Sequence, residues 1–462
     1  MKNKKKILNK NFSYDSRLVK KNEVFFDFLS DEKKSNPYLE DVIRKNPYLI
    51  VTKLRSKTKN SKFLNVRNVQ AYYENLIKKK YPKIPKNIFA VTGTNGKTSV
   101  VNFVNQIYLY NKIKSATIGT LGFNKNNRIK KSNLTTPSNL EIFKFLHHAK
   151  KEKIENVAIE ASSHGLHQKR LIGLKFNTVV FTNFTRDHLD YHKNMKSYLD
   201  AKLILFKKHL NKNANIICDE NIFKILNKNK ITEKNFNFVF QKKKNQTFKL
   251  VGTKAISNKT NLKLNCYNKI HNIKVGLVGK IQIENLIKSI KVCELQGLKL
   301  SSILEVLQKI KAPDGRLNIF QKKDKIICLD YAHTPDGLKK TIMTLKDHFK
   351  KDVNLLFGCG GDRDKEKRPQ MGLIANKYCK KIYLTNDNPR FEKPEEIISQ
   401  IKRTAKRAKV LPNRAVAIKN AIVDLNKKKE ILLIAGKGHE TYQIFKSKKK
   451  YFSDKEQIKK YL

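Results

Sequence analysis

Residues Thr92–Ser99 read TGTNGKTS, between the apolar run Ile88–Val91 and a stretch with apolar residues at Val100, Phe103, Val104 and Ile107. Strand, glycine turn and helix in that order make a phosphate cradle. Gly93 and Gly96 let backbone N–H groups converge on phosphate oxygens, and the helix N-terminus adds partial positive charge. Lys97 is spaced to reach the terminal phosphates of a nucleotide and Thr98 to offer a hydroxyl to magnesium, with Thr94, Asn95 and Ser99 completing the loop. The first glycine of the usual P-loop spacing is missing, its place being taken by Val91.

Six further polar clusters follow apolar runs: EASSHGL (160–166), TNFTRDHLDYH (182–192), DYAHTPDGL (330–338), GCGGDRDKEKRPQMG (358–372), TNDNPR (385–390) and AGKGHETYQ (435–443). Open parallel sheets place ligands at the carboxyl ends of their strands, so the repetition of this arrangement points to an enzyme. Glu160 is a hard oxygen donor suited to magnesium, and equally a carboxylate suited to a helix N-terminus. His188 and His192 are spaced i, i+4, but Leu189 stands where a zinc protease motif carries glutamate, so that chemistry is excluded. His188 is left as a magnesium- or phosphate-facing residue or an ordinary hydrogen-bonded one. Lys202, in a helical stretch with Tyr198 and Phe206, reads on its own as a surface lysine.

The elements that must position these residues fall into an α/β pattern. A chain of 462 residues fits about three domains. The expected units are a small N-terminal α/β domain (1–86), a central P-loop-type ATPase domain with a mainly parallel sheet (87–314), and a C-terminal Rossmann-like α/β domain (315–462). The stretch Lys78–Lys86 reads as the first linker, and Ala312-Pro313-Asp314-Gly315 as the second break. Strands are expected at Glu23–Phe28, Asn156–Ile159, Thr178–Phe181 and Ala214–Cys218, then at Ile326–Leu329, Val353–Phe357, Ile382–Leu384 and Ile431–Ile434.

Composition is dominated by 99 Lys+Arg against 39 Asp+Glu, a formal net charge of +60. The lysines are spread along the whole chain, which favours solvated faces over a nucleic-acid groove. Six cysteines form no C-x-x-C pair and no zinc spacing, as free thiols in a reducing cytoplasm would. No segment approaches the ~20 apolar residues of a membrane span, and the basic N-terminus has no apolar core behind it. A cytoplasmic enzyme is expected, with no membrane and no specific nucleic acid as partner.

Together these strings resemble the Mur ligase family, in the branch that adds the third residue to the UDP-N-acetylmuramoyl peptide. The resemblance runs from DSR (15–17) to FSD (452–454). It implies an ATP-dependent amide ligase of peptidoglycan precursor synthesis: ATP phosphorylates a peptide carboxylate, and an amino acid's amine displaces phosphate from the acyl phosphate. By resemblance, Lys97 holds the γ-phosphate, and Thr98, Glu160, His188 and Lys202, the last as a CO2-derived carbamate, hold Mg2+. Asn285, Arg316 and Asp330 match nucleotide contacts. Ser16, Thr135, Thr136, Ser162 and Arg170 match contacts to UDP-N-acetylmuramoyl-L-Ala-D-Glu. Arg363, Asp387, Asn388, Pro389, Arg390, Gly436 and Glu440 match the amino-acid pocket. DNPR is the form associated with meso-diaminopimelate, whose second carboxylate a planar guanidinium can clamp. A monomer is expected. The chain departs from the family after DSR, where EVFFDFLSDEKK lacks the usual glycines, and at GKIQIEN (279–285). The competing expectations are a lysine-adding or folylpolyglutamate synthetase-like ligase, which DNPR and GKGHE oppose, and a nucleic-acid-binding P-loop ATPase. The latter calls for an acidic D-E strand end and interleaved aromatic and basic residues, and the chain has neither.

Overall fold

The computed structural model describes residues 2–54, 62–132, 134–240, 248–426 and 428–462. Runs such as Ile88–Val91, Val157–Ile159 and Val179–Phe181 are apolar on both faces because the strands they form are covered by helices on both sides. They build an eight-stranded sheet ordered Asn237–Phe240, Leu210–Cys218, Phe176–Phe181, Asn87–Thr92, Asn156–Glu160, Ser115–Gly119, Gly122–Lys125 and Arg128–Lys130. All pairings are parallel except the last two, which form a meander at one edge. Asn87–Thr92 lies between Phe176–Phe181 and Asn156–Glu160. Their adjacent carboxyl ends therefore bring TGTNGKTS, TNFTRDHLDYH and EASSHGL to one edge of the sheet.

The N-terminal unit is a parallel sheet of Phe12–Ser13, Val24–Phe26, Leu49–Thr52 and Phe63–Asn65. It shares one apolar core with the central sheet. Tyr73, fully buried on the helix Val69–Lys80, joins the two, its hydroxyl hydrogen-bonding Asn139 Oδ1 at 2.8 Å. Residues 78–80, expected in a linker, are instead the last turn of that helix. The amphipathic pattern Val69, Tyr73, Leu76, Ile77 carries the helix through the lysines, whose ammonium groups favour a helix C-terminus.

The C-terminal sheet is ordered Asn318–Lys322, Lys325–Asp330, Glu430–Ala435, Asp352–Phe357, Ile382–Leu384 and Lys409–Val410, parallel except for its first pair. An antiparallel sheet of Phe248–Ile256, Lys259–Cys266 and Lys269–Val275 packs on the central unit, and the sequence reading did not anticipate it. Where the chain leaves the central unit, Lys311 is clasped by Gln106: Gln106 Nε2 donates to its carbonyl at 2.8 Å and its N–H donates to Gln106 Oε1 at 2.9 Å.

Candidate functional site

The P-loop is laced to the strand end beside it. Thr94 N donates to Asn183 O at 2.9 Å, Asn95 N to Asn183 Oδ1 at 3.0 Å, and Asn183 Nδ2 back to Asn95 O at 3.1 Å. Gly93 (φ +139°) and Gly96 (φ +89°) are required by both backbone conformation and space. A Cβ at Gly93 would lie 1.9 Å from Thr182 Oγ1, and one at Gly96 2.7 Å from Asn285 Oδ1. Asn285 thus abuts the turn of the cradle. Lys97 Nζ donates to Gly93 O and Thr94 O, each at 2.9 Å. Withdrawal from water lowers its pKa, with Glu160 and Asp187 opposing the shift. Ser99 is buried in the first helical turn.

Glu160 is almost fully buried at its strand end. Its Oε2 accepts from Thr98 Oγ1 at 3.1 Å and Thr120 Oγ1 at 3.0 Å, and its Oε1 from Thr120 N at 2.9 Å. The carboxylate faces the cradle; the neighbouring helix Ser163–His167 is capped by Ser162 instead. Lys202, expected at the surface on sequence alone, is 1% exposed. Its Nζ donates to Gly93 O at 3.0 Å and lies 4.5 Å from the Tyr198 ring centroid. Burial, with Lys97 nearby, drives its pKa well below the ordinary lysine range.

His188 adopts φ +56° and sets its Nε2 3.3 Å from Asp187 Oδ2. Desolvation holds the imidazole below its ordinary range. Burial acts to raise the Asp187 pKa, but His188, His333, Lys367 and Lys97 outweigh it and hold the carboxyl at about 2. Among the described residues, no three His, Cys, Asp or Glu side chains gather into a ready-made metal cage. The donors beside the cradle are the Thr98 hydroxyl, the Glu160 carboxylate and the nearby imidazole. That set fits a magnesium ion that enters with phosphates and keeps waters.

Thr136 and Ser162 are joined, Thr136 Oγ1 lying 2.9 Å from Ser162 Oγ and accepting from Ser162 N at 3.0 Å. Thr135 Oγ1 lies 3.2 Å from Thr120 Oγ1, and Arg170 Nη1 donates to Thr136 O at 2.7 Å. These expected peptide contacts therefore form one track leading from Glu160. Ser16 lies in a turn on the N-terminal unit, its carbonyl accepting from Lys45 Nζ at 2.6 Å. Its neighbours Tyr14 and Asp15 feel the charge of Arg170.

The C-terminal unit closes over this edge. Arg316 Nη2 donates to Thr98 Oγ1 at 3.3 Å, and its guanidinium stacks 4.5 Å over the Tyr331 ring. Asp330 does not present an open carboxylate. Oδ2 accepts from Leu317 N at 2.8 Å and Oδ1 from Ala332 N at 2.9 Å and Thr341 Oγ1 at 3.2 Å, so it fixes the segment carrying Arg316. Gly315 (φ +69°) packs so tightly that a Cβ would lie 2.2 Å from His439 N. Asn95 Nδ2, Arg316 Nε and His439 Nδ1 are buried without a hydrogen-bond partner, as expected where a polar ligand belongs.

The expected amino-acid residues meet between three loops. Arg390, in the left-handed region at φ +54°, donates through Nη1 to Gly361 O at 2.8 Å and Asn388 O at 3.3 Å. Asn388 Nδ2 donates to Glu440 Oε2 at 2.9 Å, and Tyr331 Oη to Glu440 Oε1 at 3.4 Å. Gly436 (φ +106°) leaves no room for a side chain, Asp387 Oδ2 being 2.8 Å from the Cβ position. The Pro389 carbonyl abuts Gly361, and Arg363 lies on the exposed rim. Two ion pairs, the first half-buried and the second fully buried, hold these loops. Arg368 bonds Glu392 at 2.8 and 2.9 Å, and Arg414 bonds Asp454 at 2.7 Å through both Nε and Nη2. Asp187, His333, Thr120, Tyr331 and Lys437 were not singled out from sequence. All but Thr120 lie inside the quoted polar strings, which was the available signal.

The Mur ligase middle domain family matches residues 91–293, and the Mur ligase glutamate ligase domain family residues 315–438. A UDP-N-acetylmuramoyl-L-alanyl-D-glutamate–2,6-diaminopimelate ligase of Rickettsia prowazekii (strain Madrid E) is 40% identical, over 98% of this chain and 95% of the relative. One of Wigglesworthia glossinidia brevipalpis is 35% identical over 99% and 95%. A solved structure of a ligase with the same title superposes with a TM-score of 0.66 at 26% identity, covering 97% of this chain and 94% of that one. The MurF ligase of Thermotoga maritima in complex with ADP shares the fold, with a TM-score of 0.61 at 18% identity over 93% and 94%.

Proposed function

Because the chain belongs to the Mur ligase family, we propose that it joins meso-diaminopimelate to the D-glutamate γ-carboxylate of UDP-N-acetylmuramoyl-L-alanyl-D-glutamate, using ATP. The observation that carries this reading is that the C-terminal unit meets the central one at the phosphate cradle itself, where Arg316 Nη2 donates to Thr98 Oγ1. The phosphate cradle with Lys97 lies on the central unit, and Arg390 and Glu440, readers of opposite charge, lie on the C-terminal one, bridged by Arg316 and Thr98.

The glutamate γ-carboxylate attacks the γ-phosphorus of ATP, the bond to ADP breaks, and an acyl phosphate forms. The amine of diaminopimelate then attacks the acyl carbon, loses a proton, and phosphate leaves as the amide forms. Lys97, Arg316 and the P-loop amides hold the transferring phosphoryl group, where preorganised donors contribute most. Thr135, Thr136, Ser162 and Arg170 seat the muramoyl peptide, with Ser16 at its nucleotide end. Magnesium, when bound by Thr98, Glu160, His188 and the carbamate of Lys202, neutralises phosphate charge.

Burial supports the carbamate reading: it lowers the pKa of the Lys202 amine and so favours the nucleophilic neutral form, which can add CO2 and release a proton to become an anionic oxygen donor. Arg390 pairs with the distal carboxylate of diaminopimelate and Glu440 with its distal ammonium. We assign domains 1–86, 87–314 and 315–462 to UDP-sugar, ATP and amino-acid binding, in a cytoplasmic monomer serving cell-wall growth and division. Among the described residues no helix is long and apolar enough to cross a membrane.

Phosphate release with UDP-N-acetylmuramoyl-L-alanyl-D-glutamate and single amino acids tests the reading, with DNA as control. Release only with diaminopimelate is expected. DNA-stimulated ATP hydrolysis that ignores the peptide would overturn it.

A further inference from the structure

The geometry points to Lys437 as the positioning residue that presets the amino-acid reader; the inference rests on the diaminopimelate reading above and deepens it. Lys437 is 0% exposed, in a chain whose other lysines mostly coat the surface. Its ammonium makes every bond it has within the pocket wall: to Asn388 Oδ1 at 3.3 Å, to Glu440 Oε2 at 3.2 Å and to the Tyr442 carbonyl. An ammonium has three protons and no acceptor, so these contacts use its whole donor capacity.

The consequences run through Asn388. Its Oδ1 accepts from Lys437 Nζ and from Ile444 N at 3.0 Å, two donors that force the oxygen end of the amide toward them. The Nδ2 end must then face Glu440, and does, at 2.9 Å. With Lys437 and Asn388 both on Oε2, Oε1 is left with the 3.4 Å Tyr331 contact and free lone pairs. Lys437 therefore decides which oxygen of Glu440 is offered to an incoming ammonium, and holds the carboxylate still while it is offered. The left-handed turn Gly436–Gly438 makes the arrangement possible, since φ of +106° and +52° at its glycines folds the lysine back under the pocket instead of out to solvent.

A lysine that merely stabilised the loop would, when removed, weaken all amino acids alike. A positioning lysine is distinguishable by a substrate that lacks the group Glu440 reads. The probe is 2-aminopimelate, which keeps the distal carboxylate and has no distal amine. On the parent enzyme, kcat/KM for 2-aminopimelate is expected roughly 100-fold below that for meso-diaminopimelate, because the Glu440 carboxylate loses the distal ammonium it is set to receive. In Lys437→Met that ratio is expected to shrink to below about tenfold, through a higher KM for diaminopimelate, while the KM for ATP stays within about twofold. Lys437→Gln, one atom shorter and without the charge and third proton that hold Asn388, Glu440 and the Tyr442 carbonyl together, carries the same test if Lys437→Met does not fold. An unchanged ratio, with both amino acids weakened in proportion, overturns the positioning role. A parent enzyme indifferent to the distal amine overturns the substrate reading itself.

Discussion

Arg186 of the central unit and Glu366 of the C-terminal unit form a 2.6 Å ion pair, with Asp364 3.6 Å from the same guanidinium. The pair joins the loop of Asp187 and His188 to the loop of Arg363, so it ties the proposed metal side of the interface to the proposed amino-acid side. An exposed pair of this kind is worth about 0.2–1 kcal/mol. Glu366→Lys should therefore raise the KM for diaminopimelate about two- to fivefold and enlarge the radius of gyration of the ligand-bound enzyme, with the difference narrowing at high salt. Identical scattering curves and KM values for both proteins would show that the pair does not hold the units together.

Lys202→Ala is expected to abolish ligation without unfolding the chain, and short carboxylic acids in the assay should restore part of the activity by supplying the missing oxygen donor. Steady-state rates with and without added acetate or propionate read this directly. Normal turnover by the variant would show that the buried amine has no part in the reaction.

The parent enzyme should use diaminopimelate and reject lysine by roughly 10⁴-fold, because lysine leaves the Arg390 guanidinium facing no carboxylate. Arg390→Ala should weaken diaminopimelate use at least about tenfold, from the ~1.5–3 kcal/mol of a charged hydrogen bond, and narrow its advantage over lysine. The check is kcat/KM for both amino acids on both proteins at saturating muramoyl dipeptide. Equal use of the two by the parent would refute the assignment.

Arg414 and Asp454 are both fully buried and bonded in bidentate fashion, with Arg414 Nη2 also donating to Ala435 O at 3.0 Å. Asp454→Asn leaves a guanidinium uncompensated in the interior, and a loss of about 3–5 kcal/mol is expected in denaturant unfolding of the C-terminal unit. A loss below about 1 kcal/mol would mean that water reaches the site.

Local patterns were legible in the sequence and long-range packing was not. The P-loop could be read because its spacing is set by one phosphate group within a single turn. Strand ends could be read because buried parallel strands are apolar runs with polar stops. Lys202 was taken for a surface residue on the residues alone because burial is a tertiary property, although its place four residues after the buried Tyr198 marks the inner face of the helix. The antiparallel sheet was missed even though Thr260, Leu262, Leu264 and Cys266 alternate inward, because lysines and asparagines dilute the pattern. Asp330 was expected at the nucleotide; only the fold reveals that the amides of Leu317 and Ala332 and the Thr341 hydroxyl engage both its oxygens.

The packing of Gly315 against His439 decides where the two halves of the enzyme can pivot. Gly315 is packed against the loop proposed to read the amino acid, and Lys311 is tied through Gln106 to the helix that follows the phosphate cradle. Between them Ala312 O accepts from Asn318 Nδ2 at 3.4 Å, Pro313 O from Arg316 N at 3.1 Å, and Asp314 pairs with Lys455 Nζ at 2.8 Å, so a swing falls at the Lys311–Ala312 junction, where Pro313 restricts the residue before it. So short an axle leaves few torsions to turn, and the pocket, held by its own ion pairs, is expected to travel as a finished part instead of being assembled on arrival.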